Sequence, residues 1–218
     1  MKESITNKIE RLGVFPIIVI DRVADVVPLG EALLRAGLPC AEVTFRTEAA
    51  AEAINTLSKE FPEMLLGAGT VLKVEQADAA VEAGASFLVT PGFNPKVVDH
   101  CLGQGIDIYP GVCTPTEIDT AMNKGLTVLK FFPAEAMGGL SYLKAVSAPL
   151  SKARYIPTGG VNLQNFPEYL AFDKVLACAG TWIVKKNWLN EGRFDLIEQE
   201  AANAIEIVRD VRGGSADG

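Results

Sequence analysis

Lys130 interrupts an apolar run, Val128-Leu129-Lys130-Phe131-Phe132. In a strand, side chains alternate faces, so Val128, Lys130 and Phe132 would share one face and Leu129 and Phe131 the other. An apolar interior disfavours the charged form of a lysine. The neutral amine that results attacks carbonyl carbons. A lysine that reaches solvent or pairs with a carboxylate is the structural alternative, with about equal weight on these residues alone. A second run, CAEVTFR from Cys40, places Glu42, Thr44 and Arg46 at one parity and Val43 and Phe45 at the other. A Glu–Arg pair of this kind is at least as often structural. The combination is more telling than its parts. A buried amine, a carboxylate able to move protons and a guanidinium able to hold a carboxylate meet separate requirements of one reaction.

Further candidates sit where apolar runs end. Gly-Ala-Gly-Thr closes a run at Thr70, whose hydroxyl could hold a substrate oxygen or cap the following helix. Pro157-Thr158-Gly159-Gly160 and Gly180-Thr181 close two later runs. Loops without side chains present backbone amides suited to a phosphate, although Gly-Gly is also ordinary turn chemistry. His100 is the only histidine and falls on an expected helix. With no cluster of ligands around it, a catalytic zinc site is not expected. Met122, Met137, Phe166 and Trp188 read as packing residues, as does Trp182 beside the second glycine loop.

These groups need a scaffold that brings the ends of several strands together. Short apolar runs begin at Val14, Cys40, Met64, Phe87, Asp107, Thr127, Arg154 and Val175. They alternate with helical stretches such as ADVVPLGEALLRAG and PKVVDHCLGQG, several of which stop at glycine. Strand–helix units repeated in this way imply parallel strands with right-handed crossovers. Units of roughly 20–26 residues are compatible with tight loops. The expected fold is α/β, a (β/α)8 TIM barrel in one domain over residues 1–218, with functional groups at the C-terminal strand ends. An open doubly wound sheet is disfavoured because the turn after the first strand, DRVADVVP, has no glycine. A polar N-terminal helix should cover the barrel floor, an amphipathic helix should begin at Phe194, and GGSADG should fray.

The chain has 218 residues, 49% of them hydrophobic, and a net charge of −7. That balance opposes a nucleic-acid or anionic-membrane partner but not a phosphorylated small molecule. The N-terminal stretch lacks the apolar core of a secretion signal. The scattered Cys40, Cys101, Cys113 and Cys178 suit reduced thiols in the cytoplasm.

The stretches EVTFRTEAA, GAGTVL, VTPGFNP, YPGVCTPTE, KFFPAEAMGG, PTGGVN and GTW follow one another along the chain. In that order they resemble the 2-dehydro-3-deoxy-6-phosphogluconate (KDPG) and 4-hydroxy-2-oxoglutarate (KHG) aldolases. The likeness covers nearly the whole chain, and KFFPAE followed by PTGG is its most specific part. It implies that Lys130 forms a Schiff base and that Glu42 is the general acid/base. It implies that Arg46 and Thr70 hold the pyruvate carboxylate while Pro91 and Phe132 shape the pocket. It further implies that Gly159, Gly160 and Thr181 bind phosphate. The resemblance implies a homotrimer of sugar-acid catabolism, such as the Entner–Doudoroff route, with no cofactor and no metal. Thr158 leans toward the gluconate substrate rather than its galactonate epimer. An aldolase for that epimer, an isomerase-type barrel sharing only the phosphate site, and a non-catalytic phosphometabolite binder remain alternatives. Phe45, Cys113 and Ala179 depart from the family pattern, and Ala179 adjoins the expected phosphate loop.

Overall fold

The structure, a computed structural model, describes residues 3–213. The first helix, α1 (Ile5–Leu12), is capped by the Ser4 hydroxyl and ends at Gly13, whose left-handed backbone returns its N–H to Ile9 O. Strands and helices then alternate. They are β1 (Val14–Ile18), α2 (Val26–Arg35), β2 (Cys40–Thr44), α3 (Ala50–Glu60), β3 (Leu65–Gly69), α4 (Val74–Glu82), β4 (Phe87–Val89) and α5 (Pro95–Gly103). They continue as β5 (Asp107–Tyr109), β6 (Gly111–Val112), α6 (Pro115–Asn123), β7 (Val128–Phe131), α7 (Gly139–Ser147), β8 (Arg154–Pro157), α8 (Phe166–Leu170), β9 (Cys178–Gly180), α9 (Lys186–Asn190) and α10 (Phe194–Gly213). Sequence chemistry explains several starts. Thr114 and Glu117 form a reciprocal capping box at α6, with Pro115 in the first turn.

All pairings between these strands are parallel. A curled six-stranded sheet runs β5-β4-β3-β2-β1-β9, and a three-stranded one runs β6-β7-β8. Each expected apolar run contains a strand, but the fifth is divided. Pro110 has no N–H and interrupts the ladder, so β5 pairs with β4 and β6 pairs with β7. Lys130 N still donates to Pro110 O at 3.0 Å, keeping the two halves in line. Between β8 and the last run, pairing thins to bridges at Tyr155–Val175 and Thr158–Ala179. The expected eight strands are thus, among the described residues, nine segments in two sheets.

Packing fixes which side chains look inward. Phe15, Phe87 and Tyr109 meet edge to face at 5.8 Å in the interior. Gly67 on β3 leaves room for the Phe87 ring, which a Cβ there would meet at 2.3 Å. On β7, Leu129 and Phe131 are fully buried, and Phe131 stacks on Tyr142 of α7 at 6.0 Å. Those two therefore face the helices, as strand parity predicts, and Lys130 faces the interior. Thr6 of α1 bonds Tyr109 from below at 3.1 Å, so α1 lies across the floor as expected. The closing helix reaches Gly213, and the remainder of the expected frayed tail lies outside the described residues. The short α9 was not expected; its LysLysAsnTrpLeuAsn stretch shows too little periodicity to mark it.

Candidate active site

One cavity opens at the C-terminal strand ends, and all ten sequence-derived candidates line it. Glu42 on β2 and Lys130 on β7 form its base, 1% and 6% exposed. Lys130 Nζ lies 3.8 Å from Glu42 Oε1, close enough for strong attraction but too far for a hydrogen bond. Neither carboxylate oxygen of Glu42 accepts a hydrogen bond from the described residues. Burial pushes the Glu42 carboxyl above the usual carboxylate range, with the charges of Lys130 and Arg46 pulling the other way. An acid whose hold on its proton is strengthened in this way can both take a proton and return it. Lys130 Nζ also lies 5.3 Å from the centre of the Phe132 ring, within cation–π range.

Above this base, Arg46 Nε donates to Thr70 Oγ1 at 3.3 Å, at the exposed rim. Thr70 adopts φ 56°, the only positive φ among described residues other than glycine. A β-branched residue there is strained, and such strain persists only where the surroundings enforce it. Thr70 does not cap α4, because that helix begins after Lys73. Instead, Gln76 Oε1 accepts from the amides of Leu72 and Lys73. Pro91 forms the wall beyond β4.

The opposite wall is the loop after β8. Thr158 is buried, and its hydroxyl donates weakly to Ile156 O at 3.3 Å. Gly159 and Gly160 have φ 94° and 85°. A Cβ on Gly159 would press on the Phe132 ring at 3.2 Å, and one on Gly160 would meet Glu135 Cβ at 2.5 Å. Only glycine satisfies both the backbone and the space. The carbonyls of all three residues are engaged. Ala134 N bonds Thr158 O and Glu135 N bonds Gly159 O, and two asparagines bond Gly160 O. Thr181, exposed after β9, completes the rim.

Two lining residues escaped the sequence reading, Ile17 and Val161, and Gly180, named there with the second glycine loop, lines the cavity too. Ile17 sits in register with Glu42, but its uniformly apolar run gives no parity signal. Val161 could have been found as the next residue of the glycine loop. Gly180 is where the Trp182 ring folds back, 2.0 Å from where a Cβ would stand. Trp182 itself packs on Phe166 at 5.8 Å, as expected. His100 joins Asp78 across α5 and α4 at 2.7 Å, a helix–helix role. The four cysteines are free thiols, and Cys40, Cys101 and Cys178 are buried. Among the described residues no group of acidic, thiol or imidazole side chains could hold a metal ion, and no helix is long and apolar enough to cross a membrane.

An amine beside an acid that receives no hydrogen bond from the described residues, facing a guanidinium–hydroxyl pair and a glycine loop, supplies the groups that imine formation with a 2-oxo acid requires. Comparison with known proteins points the same way. A 2-dehydro-3-deoxy-phosphogluconate aldolase of Treponema pallidum is 47% identical over 94% of this chain and 98% of its own. The KHG/KDPG aldolase of Escherichia coli K12 is 40% identical over 88% and 91% of the respective chains. A crystal structure of KDPG aldolase from Legionella pneumophila, with pyruvate captured as a covalent carbinolamine, superposes with TM-score 0.89. It shares 35% identity, over 94% of this chain and 99% of that one. The aldolase family described as KDPG and KHG aldolase matches residues 5–200, and with the cavity built from the residues that carry the likeness, the chain belongs to that family.

Proposed function

We propose that this chain is a class I aldolase that cleaves 2-dehydro-3-deoxy-6-phosphogluconate to pyruvate and glyceraldehyde 3-phosphate, and 4-hydroxy-2-oxoglutarate to pyruvate and glyoxylate. The observation that carries this reading is the enclosed pair of Lys130 Nζ and an otherwise unbonded Glu42, 3.8 Å apart at the base of the cavity. The neutral Lys130 amine attacks the C2 ketone, and loss of water gives a protonated imine. Glu42, through a water, takes the C4 hydroxyl proton. The C3–C4 electron pair moves into the imine, leaving a lysine-bound enamine and releasing the aldehyde. Glu42 returns a proton to C3, and hydrolysis frees pyruvate and Lys130. Arg46 and Thr70 hold the substrate carboxylate at the rim, with a charge-assisted bond fixing orientation. Pro91 and Phe132 confine the three-carbon unit. Thr158, Gly159, Gly160 and Thr181 receive the phosphate end, and the buried Thr158 favours the gluconate epimer over the galactonate one.

The scaffold for this chemistry is one domain over residues 1–218 closed as a (β/α)8 barrel. Support comes from counting β5 and β6 as one strand broken at Pro110 and from the bridges joining β8 to the last run. The enzyme works as a cytoplasmic homotrimer without metal or cofactor, in sugar-acid catabolism such as the Entner–Doudoroff route. Sedimentation equilibrium giving a clean monomer at micromolar concentration would reject the trimer. The decisive experiment is borohydride reduction in the presence of pyruvate, followed by peptide mass spectrometry. A three-carbon adduct on the peptide containing Lys130 is expected. An adduct on Lys73, Lys96 or Lys144 instead would refute this active site.

A further inference from the structure

We propose that Gly69 is the positioning residue for Glu42: the missing side chain at the mouth end of β3 is the space into which the Glu42 carboxylate is laid. This rests on the reading that Glu42 carries the proton. A Cβ on Gly69 would stand 2.0 Å from Glu42 Oε1, 2.7 Å from Cδ and 2.9 Å from Cγ. Oε1 is the oxygen that faces Lys130 Nζ. Gly69 pairs in register with Thr44, while Glu42 pairs with Gly67. The carboxylate therefore leans one pleat up the neighbouring strand, over the second of two same-face glycines. The first of them, Gly67, is already filled by the Phe87 ring, so only Gly69 remains for the acid.

The backbone gives no other reason for glycine here. Gly69 is not among the residues with positive φ, unlike Gly159 and Gly160. Glycine in a strand weakens it by entropy and by lost packing. Its own N–H and C=O lie in ordinary ladder positions, with Gly69 O accepting from Phe45 N at 2.8 Å. Gly69 does not line the cavity, so it can act only through its neighbour. A side chain there leaves Glu42, itself 1% exposed, to retreat by about 1.5 Å or to change rotamer, since non-bonded contacts settle beyond about 3.5 Å. The obstructed atoms are the far end of a flexible side chain, so the strand should survive the change and the carboxylate should not stay in place. A displacement of that size in a reacting group lowers turnover by about 10²-fold.

The test compares Gly69→Ala, Glu42→Gln and the double variant, with turnover of the phosphorylated substrate, pyruvate methyl exchange in heavy water and borohydride trapping as readouts. Gly69→Ala should lower turnover and methyl exchange by about 10²-fold while the pyruvate adduct still forms on Lys130. Added to Glu42→Gln, it should change turnover by less than about threefold, because residues acting through one group are not additive. Wild-type turnover in Gly69→Ala, or losses that multiply in the double variant, would overturn the proposal. If Gly69→Ala does not fold, Gly69→Ala with Glu42→Asp withdraws the acid by one methylene and should fold. A second failure would assign Gly69 to backbone packing and overturn the proposal too. Wild-type turnover in Glu42→Gln is a different result: it removes the proton-carrying role and with it anything for Gly69 to position.

Discussion

Glu42 and Glu10 are carboxylates at opposite ends of the strands, each beside a cation, and they are treated differently. Glu10, in α1 at the N-terminal end, accepts two bonds from the Arg154 guanidinium, at 2.9 and 2.5 Å. Arg212 of α10 closes the same corner by donating to the carbonyls of Glu10, Val175 and Leu176. Here each charge is matched to a partner with fixed geometry, and three elements distant in sequence are tied together. Glu42 is buried far more deeply, yet it has one cation at 3.8 Å and no hydrogen bond from the described residues. A buried group left unsatisfied costs about 1–3 kcal/mol, more when charged. The far corner spends polar groups on holding the fold. The cavity holds two of them poorly paired, where a substrate can pair them better.

The largest effect that would sharpen this contrast is expected at Lys130. Lys130→Met keeps the side-chain length and removes the buried amine, so activity should fall to background. The fold should be retained, because removing one partner of a buried pair is costly only if the other stays charged, and burial already holds the Glu42 carboxyl above its usual range, so it can take up a proton. Glu42 would then be held uncharged more easily. Steady-state assays together with thermal melts check both halves. A folded Lys130→Met variant that still cleaves substrate would end the Schiff-base reading.

A smaller, selective effect is expected at the glycine loop. Gly160 is a poor probe of phosphate recognition, because φ 85° and Glu135 at 2.5 Å make any side chain there disruptive. Thr181 is exposed and lines the same cavity, so Thr181→Asp adds a negative charge without strain. Like charges brought together cost several kcal/mol when desolvated and less at a rim. We expect kcat/KM for the phosphorylated substrate to fall by roughly 10- to 100-fold, with a loss of under about threefold on the unphosphorylated one. Equal losses on the two substrates would show that this rim does not read phosphate.

The sequence makes the inward face of the site legible and its fine shape illegible, for physical reasons. Parity alone separates Lys130 from Leu129 and Phe131, because a strand has only two faces and the polar residue is conspicuous among apolar ones. The same rule places Glu42 in the interior. It is silent on Ile17, where every residue of the run is apolar. Nothing in GAGT announces that Thr70 takes φ 56°, since a strained backbone is imposed by the surroundings and not by local preference. The break at Pro110 was present in DIYPG as a missing donor, but the reassignment of its halves to two different neighbours depends on how the sheet curls. The two glycines of β3 look interchangeable in sequence. Only the structure shows one filled by a ring and the other by a carboxylate.

The finest test of the comparison is pH. The hydrogen bonds from Arg154 are the main cause holding the Glu10 carboxyl below its ordinary value of 4.5, against a smaller opposing effect of burial. Burial holds Glu42 above the same value. Stability follows the difference in bound protons between the unfolded and folded states. For Glu10 the folded state binds protons less readily, so its stabilisation is present above 4.5 and is lost as pH falls through the lower folded value. For Glu42 the folded state binds protons more readily, so stability is lost as pH rises from 4.5 through the higher folded value. Thermal melts of wild type, Glu10→Gln and Glu42→Gln from roughly pH 3 to pH 8 resolve the two. The melting temperature of Glu10→Gln should fall increasingly behind wild type as pH rises toward 4.5 and then keep a constant deficit. That of Glu42→Gln should gain on wild type as pH rises above 4.5, levelling off once the wild-type carboxyl has ionised. Constant offsets from lost packing would shift each curve without changing its slope. Slopes of the same sign would mean that Glu42 is satisfied in the folded protein much as Glu10 is, and the contrast between the two ends would fail.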